Sequence, residues 1–275
     1  MLGDRQSPSR LHAMNTRPFP PVRSLLGSLR AIMPSGGLGR SLLAGLAAGC
    51  LIGFTAAPAA AAGIPARAQA SQQLAVLASA HGVRVTPQAR SPQISVLAAR
   101  RPITGEQTTL PVIGRLTGPE GLRWLRVMLP GRPNGSTGWI VQRGTRELVT
   151  RWHISVDLTG RRVNAYRGGR IMRTFQAVVG KSSTPTPTGE FFVEETLQMS
   201  AGEAGGPFAL ALSARSDVLQ EFEGGPGQIA MHGRDNLGGT LGAAESHGCI
   251  RIATASINWL AARIGPGTPV TIYAR

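Results

Sequence analysis

Two histidines and a cysteine fall within eighteen residues, His232 to Cys249, in a chain with five histidines and two cysteines in all. A thiol attacks carbonyl carbon well only as the thiolate, and a neighbouring imidazole is the usual means of ionising it near neutral pH. The local order is His232-Gly233, then Ser246-His247-Gly248-Cys249-Ile250-Arg251. Gly233 and Gly248 adjoin the reactive residues, where a missing Cβ lets substrate or backbone approach closely. Arg251 is a fixed positive charge suited to a carboxylate. Ser246 is a positioning hydroxyl, grouped with Gly233, Gly248 and Arg251 as a substrate-side residue. The chemistry this set fits is cysteine acyl transfer, with Cys249 as nucleophile and His232 and His247 as its histidines.

A metal site and plain core packing of two histidines and a cysteine are the competing readings. Structural zinc needs four ligands, usually in CxxC or HxxxH pairs, and here there is one cysteine with no second pair. Three ligands would satisfy a catalytic zinc, but a thiolate–imidazole pair needs no ion, so no metal and no cofactor is expected. Within the residues alone, both histidines are placed to reach the sulfur and their roles are not separated. Arg251 is left equally between holding a carboxylate and bracing the loop.

The elements that position these residues read as mostly β. From residue 151 alternation is clean: strands are expected over 152–158, 163–166, 171–179, 191–195, 208–212, 228–231 and 269–273. A helix over 253–264 follows the nucleophile, with Ile257, Leu260, Ala261 and Ile264 on one face, Thr254 as N-cap and Gly265-Pro266-Gly267 as its stop. His153 is expected at a surface or half-buried sheet position. Residues 203–207 are glycine-rich and suggest a mobile loop over the site.

The run SHGCIR, preceded by an HG pair, resembles the signature of the L,D-transpeptidase catalytic domain (the YkuD type). The longer similarity covers about Trp152 to Tyr273 and includes Thr186-Pro187-Thr188-Gly189-Glu190-Phe191, similar to that family's PTPTG-x-F segment. The resemblance implies a β-sandwich-like fold and a role in cross-linking bacterial peptidoglycan. It also implies that the histidine of the HG pair, His232, moves the proton. The implied donor is a tetrapeptide stem cut after its third residue, releasing D-alanine. The acyl group then passes to an amine of another stem (a 3–3 cross-link), to water, or to a wall protein. Sensitivity to carbapenems is implied as well. A non-catalytic wall-binding protein is the alternative.

Upstream, residues 92–149 form a separate unit. Short β-like runs at 94–98, 110–115, 124–129 and 139–142 alternate with Gly/Pro turns, as in a small all-β barrel. The stretch WLRVMLPGRPNGSTGWI resembles bacterial SH3-like domains, with Trp124 and Trp139 expected in its core. The expected architecture is therefore a small SH3-like β-barrel followed by a β-sandwich-like catalytic domain, residues 151–275, with one helix after the nucleophile. Residues 65–91 are expected as linker, with His81 solvated.

Residues 41–57, SLLAGLAAGCLIGFTAA, are apolar and uncharged, with Arg23, Arg30 and Arg40 before them and small residues after. Residues 1–64 are thus either a cleaved export signal or a retained membrane anchor. Both place the bulk of the chain in the cell wall or on the periplasmic side of the membrane. Cys50 lies mid-run, where a lipid-attachment cysteine would close the run. Charge is uneven: residues 66–150 carry eleven Arg against three Glu, whereas 151–275 are nearly balanced, with twelve Lys and Arg against ten acids. An anionic wall polymer is the partner this implies for 66–150. Nucleic acid is not expected, because no basic helix with interleaved aromatics is present.

Overall fold

The computed structural model describes residues 69–200, 202–222 and 224–275. The expected signal or anchor over 1–64, with Cys50 and His12, lies outside them. No helix among the described residues is long and apolar enough to cross a membrane.

The first sheet contains β1 (Gln72–Leu77), β2 (His81–Arg84), β3 (Gln93–Leu97), β4 (Thr109–Thr117), β5 (Arg123–Met128), β6 (Thr137–Val141) and β7 (Thr145–Thr150), in the order β3-β2-β6-β5-β4-β1-β7. Two expectations are corrected here. Strands β1 and β2 fall inside 65–91, so that stretch is not a linker beyond Gln72. Leu74 to Leu77 are buried, and β1 pairs on both sides, with β4 and β7. His81 is likewise buried, its Nδ1 2.8 Å from the Ser79 carbonyl and its Nε2 3.1 Å from that of Arg143. Trp124 is buried as expected, and Trp139 only partly.

The second sheet contains β8 (Trp152–Asp157), β9 (Arg162–Arg167), β10 (Arg170–Gly180), β11 (Gly189–Gln198), β12 (Phe208–Arg215), β13 (Gln228–His232), β14 (Ala244–Ser246), β15 (Ile250–Ile252) and β16 (Pro269–Tyr273). Its order is β14-β10-β15-β13-β12-β11-β16-β8-β9, with β9 also paired to β10, so the sheet folds back on itself. The two longest strands make the bend. β10 pairs first with β9 and then with β15, and β11 pairs first with β16 and then with β12. Ile154, Val156, Phe191, Leu210, Met231 and Ile272 fill the space enclosed.

Helix α1 (Thr254–Ala261) packs Ile257 and Leu260 inward. Its N-cap is Ala253 and not Thr254, which is the first helical residue. The Thr254 hydroxyl instead donates to the Asp235 carboxylate, tying the helix start to the segment after His232.

Strand β11 is shared by both cores. Successive side chains on a strand point to opposite faces, so Phe191 enters the second core and Phe192 the first. The two units are therefore packed against one another along β11.

His153 is another correction. It is buried, lies edge-on to Tyr166, and its Nε2 is 3.0 Å from Thr271 Oγ1. The Thr271 hydroxyl donates to Glu190 Oε2, so it accepts from His153 Nε2–H. Desolvation lowers the His153 pKa from 6.5 to about 4. The unfolded ring gains a proton near 6.5 while the folded ring resists down to about 4, so between these values the unfolded state binds more protons. The contribution is full above pH 6.5 and is lost as pH falls, by up to about 3 kcal/mol. His153→Gln is expected to flatten the fall in melting temperature between about pH 7 and pH 4. Parallel wild-type and variant profiles would contradict this.

Candidate active site

The site forms where parallel strands β13 and β15 lie side by side, with Met231 opposite Ile250 and His232 opposite Arg251. Neighbouring strands sit about 4.8 Å apart, so this register sets the end of β13 beside the residue that precedes β15, Cys249. The Ala230 N–H donates to Cys249 Sγ at 3.4 Å. Ala230 and His232 are two apart on β13 and share a face. His232 Nδ1 is 2.8 Å from the Gly233 carbonyl. A carbonyl only accepts, so Nδ1 carries the proton and Nε2 the lone pair of the neutral ring.

Cys249, His232, His247 and Arg251 all line one cavity of about 730 Å³. His247 is exposed and stacks on Phe222, ring centroids 5.8 Å apart at 26°. Arg251 is half-buried, and one of its terminal nitrogens donates to the Gly238 carbonyl at 2.8 Å. It braces the segment that follows β13 while facing the cavity.

Gly233, Ser246 and Gly248 shape the backbone around the site. Ser246 is wholly buried; its hydroxyl donates to the Cys249 carbonyl at 2.6 Å and accepts the Gly248 N–H at 3.1 Å. That commitment removes the Gly248 N–H from the donors open to a substrate oxygen. Gly248 has φ +119°, a conformation that disfavours any other residue, and a Cβ there would lie 3.0 Å from Ile229. A Cβ on Gly233 would lie 2.1 Å from the Gly206 carbonyl oxygen, so its absence lets the 203–207 loop close on the strand end. That loop is bonded in place: the Gly233 N–H donates to the Gly205 carbonyl and the Gly205 N–H to the Asp235 carbonyl. The expected mobile loop is thus a backing for the His232 ring.

Sequence reasoning missed the support of the nucleophile turn. Thr184 and Thr186 are buried, and their hydroxyls donate to the carbonyls of Ser246, at 3.2 Å, and Gly248, at 2.7 Å. Thr186 Oγ1 also accepts the Gly180 N–H at 2.9 Å. The Ser/Thr/Pro run between β10 and β11 was the available signal, since such residues bond backbone locally. It also missed Phe222, Leu219 and Ile103, which line the cavity from distant segments. Of the nearby acids, Glu245 accepts the Thr240 N–H, and Asp235 accepts the Thr254 hydroxyl. Among the described residues, no group of three or more His, Cys, Asp or Glu side chains is arranged to hold a metal ion.

Residues 151–272 match the family model described as the L,D-transpeptidase catalytic domain, YkuD. The YkuD proteins of Bacillus subtilis (strain 168) and Bacillus licheniformis are each 32% identical over 121 residues, 44% of this chain. The chain spans 65% of the length of each. Among solved structures, the catalytic domain of the Enterococcus faecium L,D-transpeptidase is similar at 22% identity and TM-score 0.34, covering 44% of this chain and 96% of that one. An L,D-transpeptidase from Mycobacterium smegmatis is similar at 17% identity and TM-score 0.34, covering 55% and 89%. The stretch from residue 151 to residue 272, which holds the cavity-lining side chains expected to do chemistry, is thus similar to the YkuD type of L,D-transpeptidase catalytic domain.

Proposed function

We propose that this protein is a peptidoglycan L,D-transpeptidase working through a Cys249 thioester. The observation that carries the reading is the Ala230 N–H aimed at Cys249 Sγ from the strand that ends in His232, inside a cavity. A donor to sulfur favours the thiolate over the thiol. The tautomer fixed by the Gly233 carbonyl leaves His232 Nε2 as the proton acceptor.

In this mechanism His232 takes the thiol proton and the thiolate adds to the carbonyl carbon of the third stem residue. The tetrahedral oxyanion is met by backbone N–H groups of the turn, each worth about 3 kcal/mol in such sites. Collapse expels the terminal D-alanine, whose amine leaves with the proton from His232. An amine of a second stem then attacks the thioester, gives its proton to His232, and the thiolate departs. Water in place of the amine makes the same enzyme a carboxypeptidase, and a protein amine makes it an anchoring enzyme. Such a substrate lies outside the cytoplasmic membrane, in keeping with residues 1–64 serving for export or anchoring.

The test is mass spectrometry of the purified protein with a tetrapeptide stem, with and without an amine acceptor. An acyl adduct on Cys249 and released D-alanine are expected in both cases, with a cross-linked product only when the amine is present. Binding without D-alanine release would reduce the protein to a wall binder.

A further inference from the structure

The cavity that holds Cys249 is not built by residues 151–272 alone. Ile103 lines it beside Leu197 and Met199, and Ile103 belongs to the loop that follows β3 in the first sheet. Its side chain is 67% exposed, yet its loop is firmly held. Arg101 pairs with Glu194 and Glu195 of β11. Thr104 donates to Glu195 Oε2 through both its N–H, at 3.2 Å, and its hydroxyl, at 2.9 Å. The Thr196 N–H donates to Glu106 Oε2 at 3.2 Å. An apolar side chain presented to solvent on so anchored a loop is placed for contact with a ligand.

A second wall is the segment between β12 and β13, which contributes Leu219 and Phe222. Phe222 is the residue on which His247 stacks. This wall too is held by the first sheet. The Arg132 guanidinium, from the turn between β5 and β6, donates to the carbonyls of Ser216 at 2.7 Å, Pro226 at 2.8 Å and Leu219 at 3.0 Å. Both ends and the middle of the segment thus converge on one planar cation. Asn134 adds a pair of bonds to the Arg215 backbone, with Nδ2 donating to its carbonyl and Oδ1 accepting its N–H, each at 2.8 Å. The wall is closely folded, since a Cβ on Gly227 would lie 2.0 Å from the Leu219 carbonyl oxygen.

We infer that the first sheet is a working part of the substrate groove: Ile103 contacts the peptide, and Arg132 is a positioning residue that holds the Leu219–Phe222 wall. The ligand class is an extended peptide long enough to touch both walls. Small thiol reagents need neither. The inference rests on the acyl-transfer reading for its substrate, but binding tests it separately from chemistry.

The experiment uses the full chain with a stem tetrapeptide. Arg132→Ala, Arg132→Lys and Ile103→Ala are compared for kcat and KM. The same substitutions are then made in a Cys249→Ala background for the peptide Kd by calorimetry, and alkylation of Cys249 by iodoacetamide is timed. For Arg132→Ala, KM and Kd are expected to rise about tenfold with kcat within about threefold, since lost wall contacts remove uniform binding. Ile103→Ala should raise both about threefold, as loss of a buried aliphatic contact does. Lysine, a point charge in place of a planar fork, should restore part of the Arg132 effect. Alkylation should be unchanged throughout. Unchanged Kd in both alanine variants, or alkylation slowed as much as turnover, overturns the inference. Should Arg132→Ala fail to fold, the exposed Ile103 position decides alone. If the peptide binds in this pattern but is never cleaved, the acyl-transfer reading fails and the wall stands.

Discussion

Alanine at position 249 is expected to leave a folded protein that binds stem peptide and forms no covalent adduct with it or with a carbapenem. Turnover should fall by about four orders of magnitude or more, because loss of a nucleophile removes the whole covalent route. The substitution is gentle on the fold. Cys249 is half-buried, and the change removes the bond that its sulfur accepts from the Ala230 N–H. The turn itself is fixed by backbone carbonyls bound to Ser246, Thr184 and Thr186, none of which the change touches. Intact-mass measurement before and after exposure to the β-lactam reads the result directly. An adduct on the alanine variant would move the nucleophile elsewhere in the chain and remove the basis of the proposed mechanism.

The candidate side chains of this site were legible in the sequence because they sit close together along the chain. Cys249, His232 and His247 line one cavity at the end of neighbouring strands β13 and β15, and the alternation that marks β13 as a strand is local. The groove walls were not legible, because Ile103 and Arg132 reach the site across separations of some 85 to 145 residues that no periodicity records. Strand β1 was missed for a related reason. Gln-Gln-Leu-Ala-Val-Leu has no strict alternation, and it is buried because β4 and β7 flank it on either side. The helix after the nucleophile was visible in its apolar face, but its first turn was misjudged. Thr254 has the right chemistry for a cap, and its hydroxyl found the Asp235 carboxylate instead. The motif's serine and glycine shape the nucleophile turn, through the Ser246 hydroxyl and the positive φ of Gly248.

Losing the Arg215 guanidinium is expected to cost about 3–5 kcal/mol of stability, the range for stripping one partner from a buried ion pair. Arg215 lies 2.9 Å from Glu194 Oε1, with Arg101 on the carboxylate's other oxygen. The Glu194 side chain is 0% exposed and that of Arg215 9%. Burial pushes the pKa of both arginines below its ordinary value. Arg215→Met keeps the aliphatic bulk and leaves Glu194 with half of its counter-charge. Denaturant midpoints should fall sharply, and the deficit should shrink at low pH, where the stranded carboxyl can take a proton. A second change, Glu194→Gln, should recover much of the loss, since it removes the charge that was left under-compensated. Because Arg101 carries the loop that bears Ile103, the double variant also relaxes one side of the groove, so its KM should stay above wild type after its stability has returned. A single variant within about 1 kcal/mol of wild type, the worth of an exposed pair, would show that water already screens this cluster. In that event the two sheets are joined by the shared strand β11 and its two phenylalanines, not by buried charge.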